Sequence, residues 1–300
     1  MKRLLLIISL LLVLLISACH TTATEGENTG QVESTVGASQ ETAVPEPAAT
    51  PFPAAPLDLT FNTDDGVELI GKYWPPASED APVIVLMHQY NMDHISQWVA
   101  LAPWLQNREN VYSVRTGGEP WSDPSWFVPW IEGIDHAVFA FTFRNCIGGC
   151  DNDSVESKDE WIVDGVSAIK AAGSFLSVDA QKIIVVGTSI GADAAVDACA
   201  RLLDDTSVKC IGVIAISPNS YLDVDYTETV QTLTEAGVQV RCVASEDDDT
   251  TADTCRSYEG ENYEAIIVSG SSHGINLFDP KLDVDASALL VQSIIEWTLP

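Results

Sequence analysis

The sequence predicts a doubly wound α/β domain on a mostly parallel eight-stranded sheet, with an aromatic-rich insertion after the first helix. Three observations predict it. Continuous apolar runs rich in Val and Ile recur along the chain, as strands buried on both faces require. Segments with helical apolar spacing lie between them. Beyond an N-terminal stretch of different composition, about 240 residues remain, a length that fits one large domain.

The elements follow in order. Residues 57–63 and 67–74 are β-rich runs joined by Asp64-Asp65-Gly66, whose residue types favour the positive φ of a tight hairpin. An antiparallel pair therefore opens the domain. Residues 82–87 form a buried strand, and 96–106 carry helical spacing through Trp98, Leu101 and Leu105. The alternation continues with strand 137–143, helix 155–172, strand 182–186, helix 190–203 and strand 210–216. Helix 227–236, strands 238–244 and 263–269, and helix 286–297 complete it. Between 106 and 137 lies the insertion, residues 111–134, with Trp121, Trp126, Phe127 and Trp130 among glycines and prolines. It is too long and too aromatic for an ordinary connection. Two readings stay open: Trp121 and Trp126 line an acyl or aromatic pocket, or the tryptophans pin the excursion to the body.

The N-terminus reads as an export signal. Lys2 and Arg3 precede an apolar run, 4–16, too short to span a bilayer comfortably but suited to a cleaved leader. Ile16-Ser17-Ala18-Cys19 resembles the lipobox of bacterial lipoproteins, which implies cleavage after residue 18 and diacylglycerol on Cys19. Residues 19–56 are dominated by small and polar residues with almost no large apolar side chain, and read as a flexible tether. The expectation is an extracytoplasmic domain, 57–300, held to a bacterial envelope membrane by the lipid. The formal charge of −30 repels nucleic acid and anionic headgroups. Six cysteines besides Cys19 suggest disulfides in an exported chain, and sequence-local pairing gives Cys146 with Cys150, Cys199 with Cys210, and Cys242 with Cys255. The spacing of Cys146 and Cys150 is not that of a zinc motif, so no metal is expected.

Gly187-Thr188-Ser189-Ile190-Gly191 follows a buried strand and opens an alanine-rich helix, the setting a nucleophile elbow requires. There Ser189 projects from the sheet, and the Ile190 N–H at the helix N-terminus can donate to a developing oxyanion. A serine hydroxyl needs a base. Of five histidines only His273 follows the elbow, just past the last strand. An acid must orient that imidazole, and the strand ending near Ala244 runs into Glu246-Asp247-Asp248-Asp249. Asp248 is favoured by spacing, Asp247 is the alternate, and Asp223 after the preceding strand is a third choice.

With those residues in that order, the chain resembles the α/β-hydrolase superfamily, and within it the dienelactone-hydrolase-like bacterial esterases and peptidases. Met87-His88-Gln89-Tyr90 matches the family's His-Gly-x segment, which implies a second oxyanion N–H from Tyr90; Gln89 replaces the usual glycine. The run 143–150 resembles the family's Arg-Gly-x-Gly loop, braced here by two cysteines. Dienelactone hydrolases proper use a cysteine nucleophile, so their substrate does not carry over to Ser189. The expectation is cofactor-free acyl transfer from a small ester to water. Amide cleavage on the same groups, or a surface-binding lipoprotein that kept the fold, are the alternatives.

Overall fold

The computed structural model describes residues 55–98, 100–106, 120–123, 126–127, 135–151 and 158–298. Cys19, the expected leader and all but the end of the expected tether lie outside them. The strands are β1 (Leu57–Asn62), β2 (Glu68–Trp74), β3 (Ala81–Met87), β4 (Ala137–Phe141), β5 (Val178–Thr188), β6 (Cys210–Ile216), β7 (Gln239–Ser245) and β8 (Tyr263–Val268). They form one sheet in the order β1-β2-β4-β3-β5-β6-β7-β8. Only β2 runs against its neighbours β1 and β4; every pairing from β4 to β8 is parallel.

β3 shows why continuous apolar runs were the right signal. Val83, Val85 and Met87 point to one face, where they meet Trp161, Ile162 and Ile169 of α3 (Asp159–Gly173) and the alanines of α4 (Ile190–Arg201). Ile84 and Leu86 point to the other, against Trp98 and Leu101 of α1 (His94–Trp98) and α2 (Leu101–Leu105), and against Leu290 and Ile294 of α7 (Ala286–Thr298). Period-two geometry feeds two cores from one strand.

Three elements differ from expectation. The helix predicted over 96–106 is two short helices, because Pro103 has no N–H for a carbonyl four residues back and is tolerated only in the first turn of α2. β5 begins at Val178 rather than 182; its first residues are half-exposed and include Asp179 and Gln181, so the apolar run understates it. A helix α6 (Thr251–Arg256) follows α5 (Tyr226–Glu235) and β7, in a segment too polar to announce it. Its Cys255 is bonded to Cys242 of β7. The other sequence-local disulfides, Cys146–Cys150 and Cys199–Cys210, are also present.

The hairpin turn does more than reverse the chain. Arg144, nearly buried after β4, reaches Asp65 of that turn at 2.7 Å and Asp164 of α3 at 2.7 Å. Its bond to Asp65 holds that carboxyl down to about 2, whereas burial of Asp164 outweighs the same guanidinium and pushes it up to about 6. The turn, the loop after β4 and α3 are thus joined through one cation.

Of the insertion, residues 120–123 and 126–127 are described; Trp130 lies outside them. Pro120–Ser122 forms a 3-10 turn. Trp121 is buried in the α1/α2/α7 core and donates its indole N–H to the Ser96 carbonyl at 3.2 Å. Phe127 stacks on Trp104 at 5.3 Å and approaches Phe278 at 6.2 Å. The half-buried Trp126 packs on the same core.

Candidate active site

The end of β5 turns into α4 with almost no room. A Cβ on Gly187 would lie 1.9 Å from the Gly191 carbonyl oxygen, and one on Gly191 would lie 2.4 Å from that of Met87. Both positions therefore require glycine. Ser189 between them adopts φ 53° and ψ −121°. For a residue with a Cβ such a conformation costs on the order of 1–3 kcal/mol. Flanking structure holds it: Ser189 N–H donates to the Ile216 carbonyl at 2.8 Å, and the Ser189 carbonyl accepts from Ala192 at 2.8 Å. Ile190 is the first residue of α4, so its N–H has no acceptor within the helix and points with the positive end of the dipole.

Ser189 opens onto a cavity of about 290 Å³ lined by Tyr90, Lys158, Trp161, Ile190 and Tyr221. The structure thus brings Ser189, Ile190 and Tyr90 to one cavity. Neither Trp121 nor Trp126 lines it; the first is a core residue and the second flanks that core, on the opposite face of the sheet from Trp161. A larger hollow of about 490 Å³ lies between β2 and the loop after β4, and Ser189 does not line it.

His273 follows β8 and meets Asp248, three residues past the end of β7, with Nδ1 2.8 Å from Oδ2. The Thr251 hydroxyl at the start of α6 donates to the Asp248 carbonyl at 2.7 Å and lies 3.1 Å from the same carboxylate oxygen, so α6 holds Asp248 from behind. With Nδ1–H donated to Asp248, Nε2 carries the lone pair. Among the described residues, the only side-chain hydrogen bond of His273 is to Asp248 rather than Asp247, and Asp223 pairs with Lys158 at the surface. The Ser189 hydroxyl makes no hydrogen bond among the described residues. A loose nucleophile–base contact is common before substrate binds. The loop of His273 nevertheless abuts the elbow: a Cβ on Gly274 would sit 3.6 Å from that of Thr188.

The segment carrying Tyr90 is fastened by groups the sequence did not single out. Gln97 of α1, fully buried, accepts the Gln89 N–H at 2.8 Å and donates to the Thr188 hydroxyl at 2.6 Å. The side-chain oxygen of Gln89 accepts the Ile275 N–H at 3.0 Å. Two glutamines therefore connect the Tyr90 segment to the elbow and to the loop of His273. His88 completes the support, with Nδ1 donating to the Gln89 carbonyl at 2.8 Å and Nε2 accepting the Phe143 N–H at 3.1 Å. Burial holds its pKa down at about 4, so it stays neutral and structural. In sequence Gln97 is marked only by its place beside Trp98 in a helical run that follows a buried strand.

Asp193 plays a similar part on α4. Its carboxylate accepts the N–H groups of Asn219, at 3.1 Å, and Tyr221, which fixes the loop carrying Tyr221 to the cavity. Burial pushes this acid up to about 8, against the pull of those N–H donors. Two acids four residues apart, Asp193 and Asp197, in an alanine-rich helix were the visible signal.

No family model matches the sequence, and no curated protein matches it. The structure is similar to the hyperthermophilic esterase of the archaeon Pyrobaculum calidifontis, at 16% identity over 81% of this chain and 83% of that one, with a TM-score of 0.55. The α/β hydrolase GrgF of a Penicillium species matches at 15% identity over 81% and 99%, with a TM-score of 0.54. A dienelactone hydrolase of Anabaena variabilis matches at 14% identity over 81% and 96%, with a TM-score of 0.50. By strand order and by this likeness, the chain has the α/β-hydrolase fold.

Proposed function

We propose that the chain is a serine hydrolase that cleaves carboxylic esters through an acyl-enzyme. The observation that carries this reading is the strained Ser189 on a glycine-bounded elbow, with the His273–Asp248 pair at the same end of the sheet. Ser189 Oγ attacks the ester carbonyl while His273 Nε2 takes its proton. Asp248 holds the tautomer and stabilises the imidazolium. The N–H groups of Ile190 and Tyr90 receive the oxyanion, each contributing roughly 3 kcal/mol to the barrier reduction. The imidazolium then gives its proton to the leaving alcohol, and water delivered by the same base frees the acid. Every step uses groups of this chain. The names of the similar esterases support the reaction class.

The test is Ser189→Ala in the full chain. Turnover of a 4-nitrophenyl ester should fall by at least about 10³-fold with the melting temperature unchanged. Activity near that of the parent would refute the assignment.

The N-terminal sequence supports a lipid on Cys19, with residues 19–56 as a tether that keeps the site clear of the bilayer. Cys19→Ser should then move the protein from the membrane fraction to the soluble one. Retention in membranes would sink the anchor.

A further inference from the structure

Resting on that reading, we propose that the site is selective for esters of an uncharged single-ring aromatic acid, with the ring held between Tyr90 and Tyr221. The cavity beside Ser189 is small, and among the described residues its lining, apart from Lys158 and Ser189, is Tyr90, Trp161, Tyr221 and Ile190. Those walls are fixed. Trp161 is 1% exposed and donates its indole N–H to the Arg144 carbonyl at 3.1 Å, and Tyr90 meets it edge-on at 6.3 Å. Tyr221 is held through its backbone by the buried Asp193. Rigid rings reward a rigid planar guest, which loses little rotational freedom on binding, whereas an alkyl chain must be ordered bond by bond.

The cavity also identifies which half of the ester it takes. His273 must reach the leaving alcohol to protonate it, so the alcohol lies on the His273 side. Ser189, Ile190 and Tyr90 line the cavity, and His273 borders it only behind Tyr221, which it meets edge-on at 6.4 Å, so the side of the cavity at Ile190 and Tyr90 is assigned to the acyl part. Charge sets the remaining preference. Lys158 at the rim is already paired with Asp223 at 3.1 Å, while burial keeps the Tyr221 phenol neutral and Asp248 and Asp249 lie close enough to add to that effect. An acyl group bearing a carboxylate therefore enters a field of its own sign.

The decisive comparison uses the full chain with 4-nitrophenyl 3-phenylpropanoate, 4-nitrophenyl hexanoate and the 4-carboxylated phenylpropanoate, whose carbonyls are alike in intrinsic reactivity. The phenyl ester should exceed the hexanoate in kcat/KM by about tenfold or more, and the carboxylated ring should lose most of that advantage. Tyr221→Leu should bring phenyl and hexanoate within about twofold, mainly through KM, while Tyr221→Phe keeps the preference. Equal or better turnover of hexanoate by the parent protein overturns the proposal, as does indifference to the carboxylate. Labelling by a fluorophosphonate separates the causes: labelled Ser189 without aromatic preference sinks the acyl specificity alone, whereas no label and no turnover sinks the hydrolase reading with it.

Discussion

Replacing Gln97 by leucine tests whether the two-glutamine link governs the oxyanion site. The substitution leaves the Gln89 N–H and the Thr188 hydroxyl without the partners they have at 2.8 and 2.6 Å. A buried unpaired N–H costs about 1–3 kcal/mol, and the hydroxyl can rotate toward another acceptor, so the total loss is about 2–4 kcal/mol. For a domain of this size each kcal/mol lowers the melting temperature by about 2–4 °C, so a fall of roughly 5–15 °C is expected. Catalysis should suffer separately. A Gln89 segment freed from α1 misaims the Tyr90 N–H, and one oxyanion donor is worth about 10²–10³ in kcat. Gln97→Glu separates the two effects, because its carboxylate still accepts the Gln89 N–H and can accept the Thr188 O–H. It should lose comparable stability through burial of charge, yet keep kcat within about tenfold of the parent. Stopped assays with a 4-nitrophenyl ester, paired with thermal melts, measure both quantities. If folded Gln97→Leu keeps kcat within about threefold of the parent, or if Gln97→Glu loses as much kcat as leucine, the link has no catalytic role.

Asp248→Asn should lower kcat by roughly 10³–10⁴ because the amide no longer fixes the imidazole tautomer, while Asp247→Asn should leave it within about threefold; equal losses would mean that the His273–Asp248 pair at 2.8 Å is not the working one. His94, buried with Nδ1 2.6 Å from the Thr142 hydroxyl, has its pKa held down at about 4 by burial, below the ordinary 6.5. Between pH 6.5 and 4 the unfolded chain therefore binds the extra proton, so stability falls as pH falls through that window, by about 3 kcal/mol at most. Because the raised Asp164 and Asp193 lean the other way, the measurement is the difference in unfolding free energy between the parent and His94→Gln at about pH 7 and about pH 4. A difference that does not change with pH would refute the burial argument.

The parts of the fold that sequence made legible are those decided by local burial. β6 runs over Cys210–Ile216 as expected, because a continuous apolar run is bounded by Lys209 on one side and Ser217 on the other. The elbow was legible for the same kind of reason: two glycines at fixed spacing reflect backbone crowding within five residues. What depended on distant partners was not. α6 has little apolar face of its own and stands on a disulfide to β7 and on Thr251 against Asp248. Which of Asp247 and Asp248 meets His273 depends on the turn after β7, where the Asp247 N–H goes to the Gly270 carbonyl and the Asp248 carboxylate swings to His273. Trp121 was conspicuous in sequence for its size, yet size does not say which side of a sheet a ring will reach.

The glutamine at position 89, where the sequence resemblance implied glycine, shows how one departure is absorbed by its neighbours. A side chain there must go somewhere, and it turns toward the loop of His273, where its oxygen accepts the Ile275 N–H. That space exists because residue 274 is glycine: a Cβ on Gly274 would lie 2.2 Å from the Gln89 side-chain oxygen, and its φ of +56° already disfavours any other residue. The Gln89 N–H, in turn, is taken by Gln97 rather than by solvent. Gln89, Gln97 and Gly274 thus form one device, in which the room left by a missing side chain beside His273 admits the amide that ties the His273 loop to the Tyr90 segment. The departure from glycine does not loosen this region; it exchanges backbone freedom at residue 89 for a direct hydrogen bond between the Tyr90 segment and the loop of His273.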